Sequence, residues 1–189
     1  MSNKIRLLSD LKWRKMADTD VSIRLYRVGD EVALLEAARE SVREVRPFMP
    51  WCHPQIQRDE LRGWIEAQVA AAQVGTAYEF AIIGTGGSYL GGCGLNQIDA
   101  ENRRANLGYW VRTSATRRGV ATMAVRQLAH WAFRHTSLIR LEIVASTQNI
   151  ASVRTALRSG AEREGVLKSR LWLHGVSHDA VVLSIVRPG

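Results

Sequence analysis

The stretch N-L-G-Y-W-V-R-T-S-A-T-R-R-G-V-A-T-M-A-V, Asn106–Val125, changes character twice within twenty residues. It leaves a β-rich run, Ala105–Arg112, and enters a helix that lasts to about His135, with Val120, Ala124, Leu128, Trp131 and Ala132 on one face. Between the two, T-R-R-G sets two arginines at the mouth of a helix, an end that already carries partial positive charge. A glycine-containing turn there gathers free backbone N–H groups in one concavity, and Arg117 and Arg118 can pair with charge held in it. These residues describe a pyrophosphate cradle. They also describe an uncapped helix start with solvated arginines.

On the C-terminal side, Leu138–Ala145 is β-rich, so a strand, a crossover helix and a second strand make a parallel pair. Asn149–Ser159 reads as a helix stopped by Gly160, and two strands close the chain around H-G-V-S-H-D, His174–Asp179. On the N-terminal side, Val21–Val28 alternates Val21, Ile23 and Leu25 against Ser22, Arg24 and Tyr26, the period of a strand. Helices follow over 30–46, stopped by Pro47, and from Arg58 to about Gln73, with Leu61, Trp64, Ile65, Val69 and Ala72 in a stripe. Tyr78–Ile83 and Tyr89–Ile98 flank G-T-G-G-S, a hairpin, and the glycines over 84–94 are read as turn and bulge residues. The order β-α-α-β-β-β-α-β-α-β-β predicts an α+β fold. Its mixed, mostly antiparallel sheet has a parallel seam and flanking helices, in one domain over 21–189 behind a polar arm, 1–20.

The 189 residues, 46% hydrophobic and 23% charged, suit a soluble globular protein. A net charge of +8 favours an anionic partner without naming one. Cys52 and Cys93 lack metal-ligand spacing and are too few for a disulfide framework, so free thiols in a reducing cytoplasm are expected. No segment has the pattern of a signal peptide or a membrane span, which argues against a membrane partner. The cations are scattered without an RNA-binding aromatic motif, so no specific nucleic acid is expected, and the sequence is compatible with a homodimer. A Walker A loop and a Rossmann fingerprint are both absent. His174 and His178 flank a turn with no third ligand nearby, and no metal is expected.

Asn106–Val125 resembles the strand–loop–helix signature of the GNAT acetyltransferases, whose loop cradles the pyrophosphate of acetyl-CoA. N-I-A-S-V-R-T-A-L-R-S-G-A-E-R-E-G, Asn149–Gly165, is similar to the segment in which an Asn and a Ser of that family lie along the pantetheine arm. S-I-R-L-Y-R-V-G-D (Ser22–Asp30), P-F-M-P-W (Pro47–Trp51) and H-G-V-S-H-D-A-V-V-L-S (His174–Ser184) are similar to its RimJ/RimL branch, which acetylates N-terminal amines of ribosomal proteins. By position, the resemblance implies acetyl-CoA as co-substrate, with its pyrophosphate on the amides of Arg117, Arg118, Gly119, Val120, Ala121 and Thr122. It implies pantetheine beside Tyr109, Trp110, Val111 and Arg112, with Asn149 and Ser152 on the other side. Two positions depart from the family. Thr116 stands where a glutamine or arginine often opens the loop, and Leu171 where some ribosomal relatives carry a glutamate proposed as base.

Amide formation from a thioester needs a neutral amine, a donor for the developing oxyanion and a proton for the leaving thiolate. An α-amino group, with a pKa of about 8, meets the first need more easily than a lysine at about 10.4. The lack of a dedicated base therefore suits a protein N-terminal amine. A small-molecule amine, and a non-catalytic ribosome- or nucleic-acid-binding protein, are the other readings. A backbone N–H between Tyr109 and Val111 is expected to hold the oxyanion. Ser152 is expected to protonate the thiolate, or else to serve the helix start beside the N-cap Asn149. Glu142, in L-E-I-V-A, either faces the acceptor as a catalytic carboxylate or pairs with Arg140; Glu79 and Asp99 are weaker candidates of the same kind. The loop Pro47–Pro54, with three prolines in eight residues, cannot fold regularly. Its Phe48, Trp51 and His53 are expected to wall the acceptor pocket, with a core seam as the other reading for Trp51.

Overall fold

The structure, a computed structural model, describes residues 21–189; the arm expected over 1–20 lies outside them. Its elements run β1 (Ser22–Leu25), α1 (Glu31–Val45), α2 (Arg58–Val74), β2 (Tyr78–Ile83), β3 (Tyr89–Asp99), β4 (Arg104–Val111), α3 (Val120–His135), β5 (Arg140–Ser146), α4 (Ile150–Arg158), β6 (Glu162–Leu173) and β7 (Val176–Val186). This is the order expected from the sequence, and local chemistry sets the boundaries. Pro47 has no N–H to continue a helix, and α1 ends at Val45, just before it. Asn149 Oδ1 accepts a hydrogen bond of 3.0 Å from the Ser152 amide and so caps α4.

The strands form one seven-stranded sheet in the order β1-β2-β3-β4-β5-β7-β6. Neighbours are antiparallel except β4 and β5, which α3 joins as a crossover. That parallel pairing is short: Arg104 with Arg140, Ala105 with Leu141, Asn106 with Glu142. Beyond it β4 continues to Val111 against β3, and β5 continues to Ser146 against β7. The two strands part after Asn106 and Glu142, leaving a wedge in the middle of the sheet.

Alternating side chains reach both faces of the sheet, and helices cover both. On one face Phe80, Leu95, Leu107 and Ile143 pack with Leu128 and Trp131 of α3. On the other, Ala81 and Tyr89 pack with Leu34 of α1 and with Leu61 and Ile65 of α2. Tyr26 belongs to this second layer. The alternation groups it with Ser22 and Arg24, yet it is 5% exposed, its hydroxyl bonded to that of Tyr89 and its ring edge-on to Trp64 at 5.2 Å. At the turn between β6 and β7, His174 Nε2 lies 2.8 Å from the Arg46 carbonyl, tying the hairpin tip to the start of the proline-rich loop.

Candidate active site

From Leu107 onward, the edge of β4 that faces β5 has no strand partner among the described residues, so backbone groups of the sheet line the wedge. The chain leaves β4 through a short 3-10 turn, Thr113–Ala115, and enters α3 through Thr116–Gly119. In that loop Arg117 (φ 62°) and Gly119 (φ 76°) are both left-handed, a backbone form that turns successive N–H groups into one hollow. The hollow, about 100 Å³, is lined by Val111, Ala115, Thr116, Arg117 and Gly119–Thr122. Among the described residues no side chain caps α3, and its first amides suit an anion.

Helix α1 holds this loop from behind. Arg112 donates to Glu36 and Glu40, and its Nη1 donates to the Tyr89 carbonyl at 3.2 Å. The Ser114 amide donates to Glu40 at 2.6 Å and the Thr113 amide to Ser41 Oγ at 3.0 Å. The Arg112 guanidinium holds the Glu40 carboxyl down at about 2.

Across the wedge, Tyr109 Oη donates to the Ser152 carbonyl at 2.8 Å and lies 3.0 Å from Ser152 Oγ. Burial pushes the Tyr109 phenol up to about 12. Two hydroxyls thus meet where β4 faces the start of α4.

On the α1/α2 face lies a cavity of about 310 Å³ with Trp51, Trp64, Trp110 and Tyr26 in its walls and Glu60 and Glu79 as its carboxylates. Trp51 meets Trp110 edge-on at 5.3 Å. Burial pushes Glu79 up to about 7, partly offset by a hydrogen bond of 3.3 Å that Asn96 Nδ2 donates to it. Asn106 Nδ2 in turn donates to Asn96 Oδ1 at 2.9 Å.

A strand-edge wedge thus lies between an amide-lined hollow and an aromatic, acidic cavity. Residues 20–162 match the family model of the acetyltransferase (GNAT) domain. The chain belongs to the GNAT acetyltransferases. YdaF of Bacillus subtilis (strain 168), whose name proposes a ribosomal N-acetyltransferase, is 34% identical over 174 residues, 88% of this chain and 91% of that protein. The ribosomal-protein-serine acetyltransferase of Escherichia coli (strain K12) is 30% identical over 128 residues, 67% of this chain and 71% of that one. A RimL ribosomal L7/L12 alpha-N-protein acetyltransferase solved with coenzyme A shares the fold, with a TM-score of 0.84 at 22% identity over 90% of this chain and 96% of its own.

The acetyltransferase brings several of the expected residues together and sends others elsewhere. Tyr109, Asn149 and Ser152 meet at the wedge, and Arg117, Gly119, Val120, Ala121 and Thr122 line the hollow, while the exposed Arg118 stands outside that lining. Arg112 lies beside the wedge, but its guanidinium is committed to α1. The Trp110 ring turns to the aromatic cavity, away from the hollow. Trp51 lines the cavity; Met49, not Phe48, is its companion from the proline-rich loop. Glu142 is corrected: it pairs with Arg140 at 2.9 Å and Arg104 at 3.3 Å, at the closed end of the wedge and outside the cavity. Two cations already satisfy it. Of the glycines over 84–94, Gly84, Gly86 and Gly87 belong to the turn and Gly91 (φ 151°) to a bulge opposite Ile82 and Ile83, as expected. Gly92 and Gly94 depart from that reading: a Cβ at Gly92 would stand 2.7 Å from Tyr26 Oη, and one at Gly94 only 1.9 Å from Glu79 Oε2. They clear the floor of the cavity, a role signalled by glycines inside a strand.

Proposed function

We propose that this acetyltransferase moves the acetyl group of acetyl-CoA to the α-amine of a protein N-terminus, in the cytoplasm. The observation that carries the reading is the parting of β4 from β5 between the amide hollow and the cavity that holds Glu79. The pyrophosphate would sit on the amides of 117–122, with the left-handed Arg117 and Gly119 shaping the cradle. The pantetheine arm would fill the wedge between Tyr109 and the Asn149–Ser152 end of α4. A free N–H of β4 beyond Asn106 would then meet the thioester carbonyl, and the Tyr109–Ser152 pair would supply the proton for the leaving thiolate. The amine would enter from the opposite face, into walls of indole and phenol that favour a cation.

The relatives support a protein acceptor, since two of those described above carry ribosomal proteins in their names. An α-amine loses its proton at about pH 8, within reach of a single carboxylate. The two free and buried cysteines, Cys52 and Cys93, suit a reducing compartment. The test is release of coenzyme A thiol with two sets of acceptors: short peptides with different first residues, and small amines such as polyamines and amino acids. Higher kcat/KM for peptides supports the reading. Turnover confined to small amines overturns it.

A further inference from the structure

We propose that Glu79 is the general base that takes the proton from the acceptor amine. The inference rests on the transferase reading above. Glu79 of β2 lies opposite Gly94 of β3, and Gly94 lies opposite Gly108 of β4. Across the sheet at this level, therefore, one carboxylate is followed by two positions without side chains. A Cβ at Gly94 would stand 1.9 Å from Oε2 and 2.5 Å from Oε1 of Glu79, so the carboxylate lies down over Gly94. Gly108 is two residues beyond Asn106, where β4 loses its pairing with β5. The bare strip leads from the carboxylate to the opened edge of β4, where a thioester held in the wedge would present its carbonyl.

The neighbours hold the carboxylate without neutralising it. Asn96, itself braced by Asn106, donates to Oε1 and acts as a positioning residue. Among the described residues, the other titratable groups lining the cavity are Tyr26 after β1, Glu60 of α2, Cys93 of β3 and Tyr109 of β4, with no lysine, arginine or histidine. Burial drives Tyr26, Cys93 and Tyr109 upward, away from neutrality, and brings Glu79 to about 7. A base is most effective when its pKa lies near the working pH.

The proton balance closes. The acceptor arrives as an ammonium ion, and the Glu79 carboxylate accepts one of its N–H protons. The freed lone pair forms the N–C bond to the thioester carbonyl carbon, and the C–S bond breaks with its electrons on sulfur. The thiolate gains a proton from the Tyr109–Ser152 pair, the nitrogen gives up a second proton that restores that pair through water, and Glu79 returns its own to water, so that one proton is released in all.

The test is the pH dependence of kcat for acetyl-CoA with a peptide bearing a free N-terminal serine. In the wild type, kcat should fall as pH drops through about 7. E79Q keeps the shape and the bond from Asn96 but cannot take the proton. It should lose about 100-fold or more in kcat at neutral pH and show no such fall, with acetyl-CoA affinity unchanged. G94A displaces the carboxylate toward solvent, so its fall should move to lower pH. E79Q turnover within about threefold of wild type, or a retained fall near neutrality, overturns the proposal. Should E79Q not fold, an unmoved profile in G94A overturns it alone. Absence of wild-type turnover on peptides and small amines alike removes the transferase reading and Glu79 with it; wild-type turnover with an unaffected E79Q removes Glu79 only.

Discussion

Gly94 leaves the Glu79 carboxylate the space it occupies: a Cβ at that position would stand 1.9 Å from Oε2. The arrangement holds an acid half-buried, and that has a thermodynamic consequence. Glu79 rises from its ordinary 4.5 to about 7, so the folded protein holds this proton more tightly than the unfolded chain does. The resulting stabilisation is fully present below the unfolded value of 4.5 and is lost as pH rises through about 7. E79Q has no such dependence. Each factor of ten in proton affinity is worth about 1.36 kcal/mol, so the stability of wild type relative to E79Q should fall by an amount on the order of a few kcal/mol between about pH 5 and pH 8. Thermal melts of the two proteins across that range check this; a difference independent of pH means the carboxyl is not buried.

Gly119 enters α3 at φ 76°, and nothing lies within 4 Å of a Cβ placed there. Gly119→Ala therefore meets strain but no clash and should cost about 1 kcal/mol of stability. Gly119→Pro cannot reach this φ and deletes an amide of the cradle. Calorimetry should show acetyl-CoA binding retained in the first variant and abolished in the second. Normal binding by Gly119→Pro puts the pyrophosphate elsewhere.

Ser152 serves the α4 cap through its amide, which leaves its hydroxyl for Tyr109. Ser152→Ala should leave the melting temperature nearly unchanged while lowering kcat by roughly 10- to 1000-fold, the usual span for a lost general acid. Asn149→Ala, by contrast, removes the cap and should cost about 1 kcal/mol of stability. Unaltered kcat in Ser152→Ala assigns the thiolate proton to Tyr109 or to water.

Trp51 is 37% exposed and contributes its ring to the cavity beside Trp110. Trp51→Ala should raise KM for the amine and leave acetyl-CoA affinity unchanged, the pattern of lost uniform binding. Steady-state kinetics with each substrate varied in turn distinguishes this from unfolding, which would lower activity toward both.

The periodicity of Val120, Ala124 and Leu128 and the break at Thr116–Gly119 make α3 and its loop legible in the sequence. The crossover from β4 through α3 to β5 follows from that. Which carboxylate faces the acceptor was not legible. Glu142 and Glu79 both sit within apolar strands, and local pattern cannot say that Arg104 reaches Glu142 from a neighbouring strand while the Asn96 amide donates to Glu79. The difference is one of cross-strand register, set by pairings that span the sheet. Gly92 and Gly94 were hidden for the same reason: a strand glycine shows its purpose only when the side chain beside it is known. Tyr26 looked like one member of an alternating strand because nothing local reveals that helices cover both faces of the sheet.

Transfer from acetyl-CoA to an α-amine leaves its mark on one atom of the acceptor. A peptide with a free N-terminal serine and one internal lysine is incubated with acetyl-CoA and the wild-type protein, and the modified residue is located by fragmentation mass spectrometry. A single acetyl group on the serine α-amine and an unmodified lysine are expected. Acetylation of the lysine side chain, or no acetylation while acetyl-CoA is bound, would contradict that transfer.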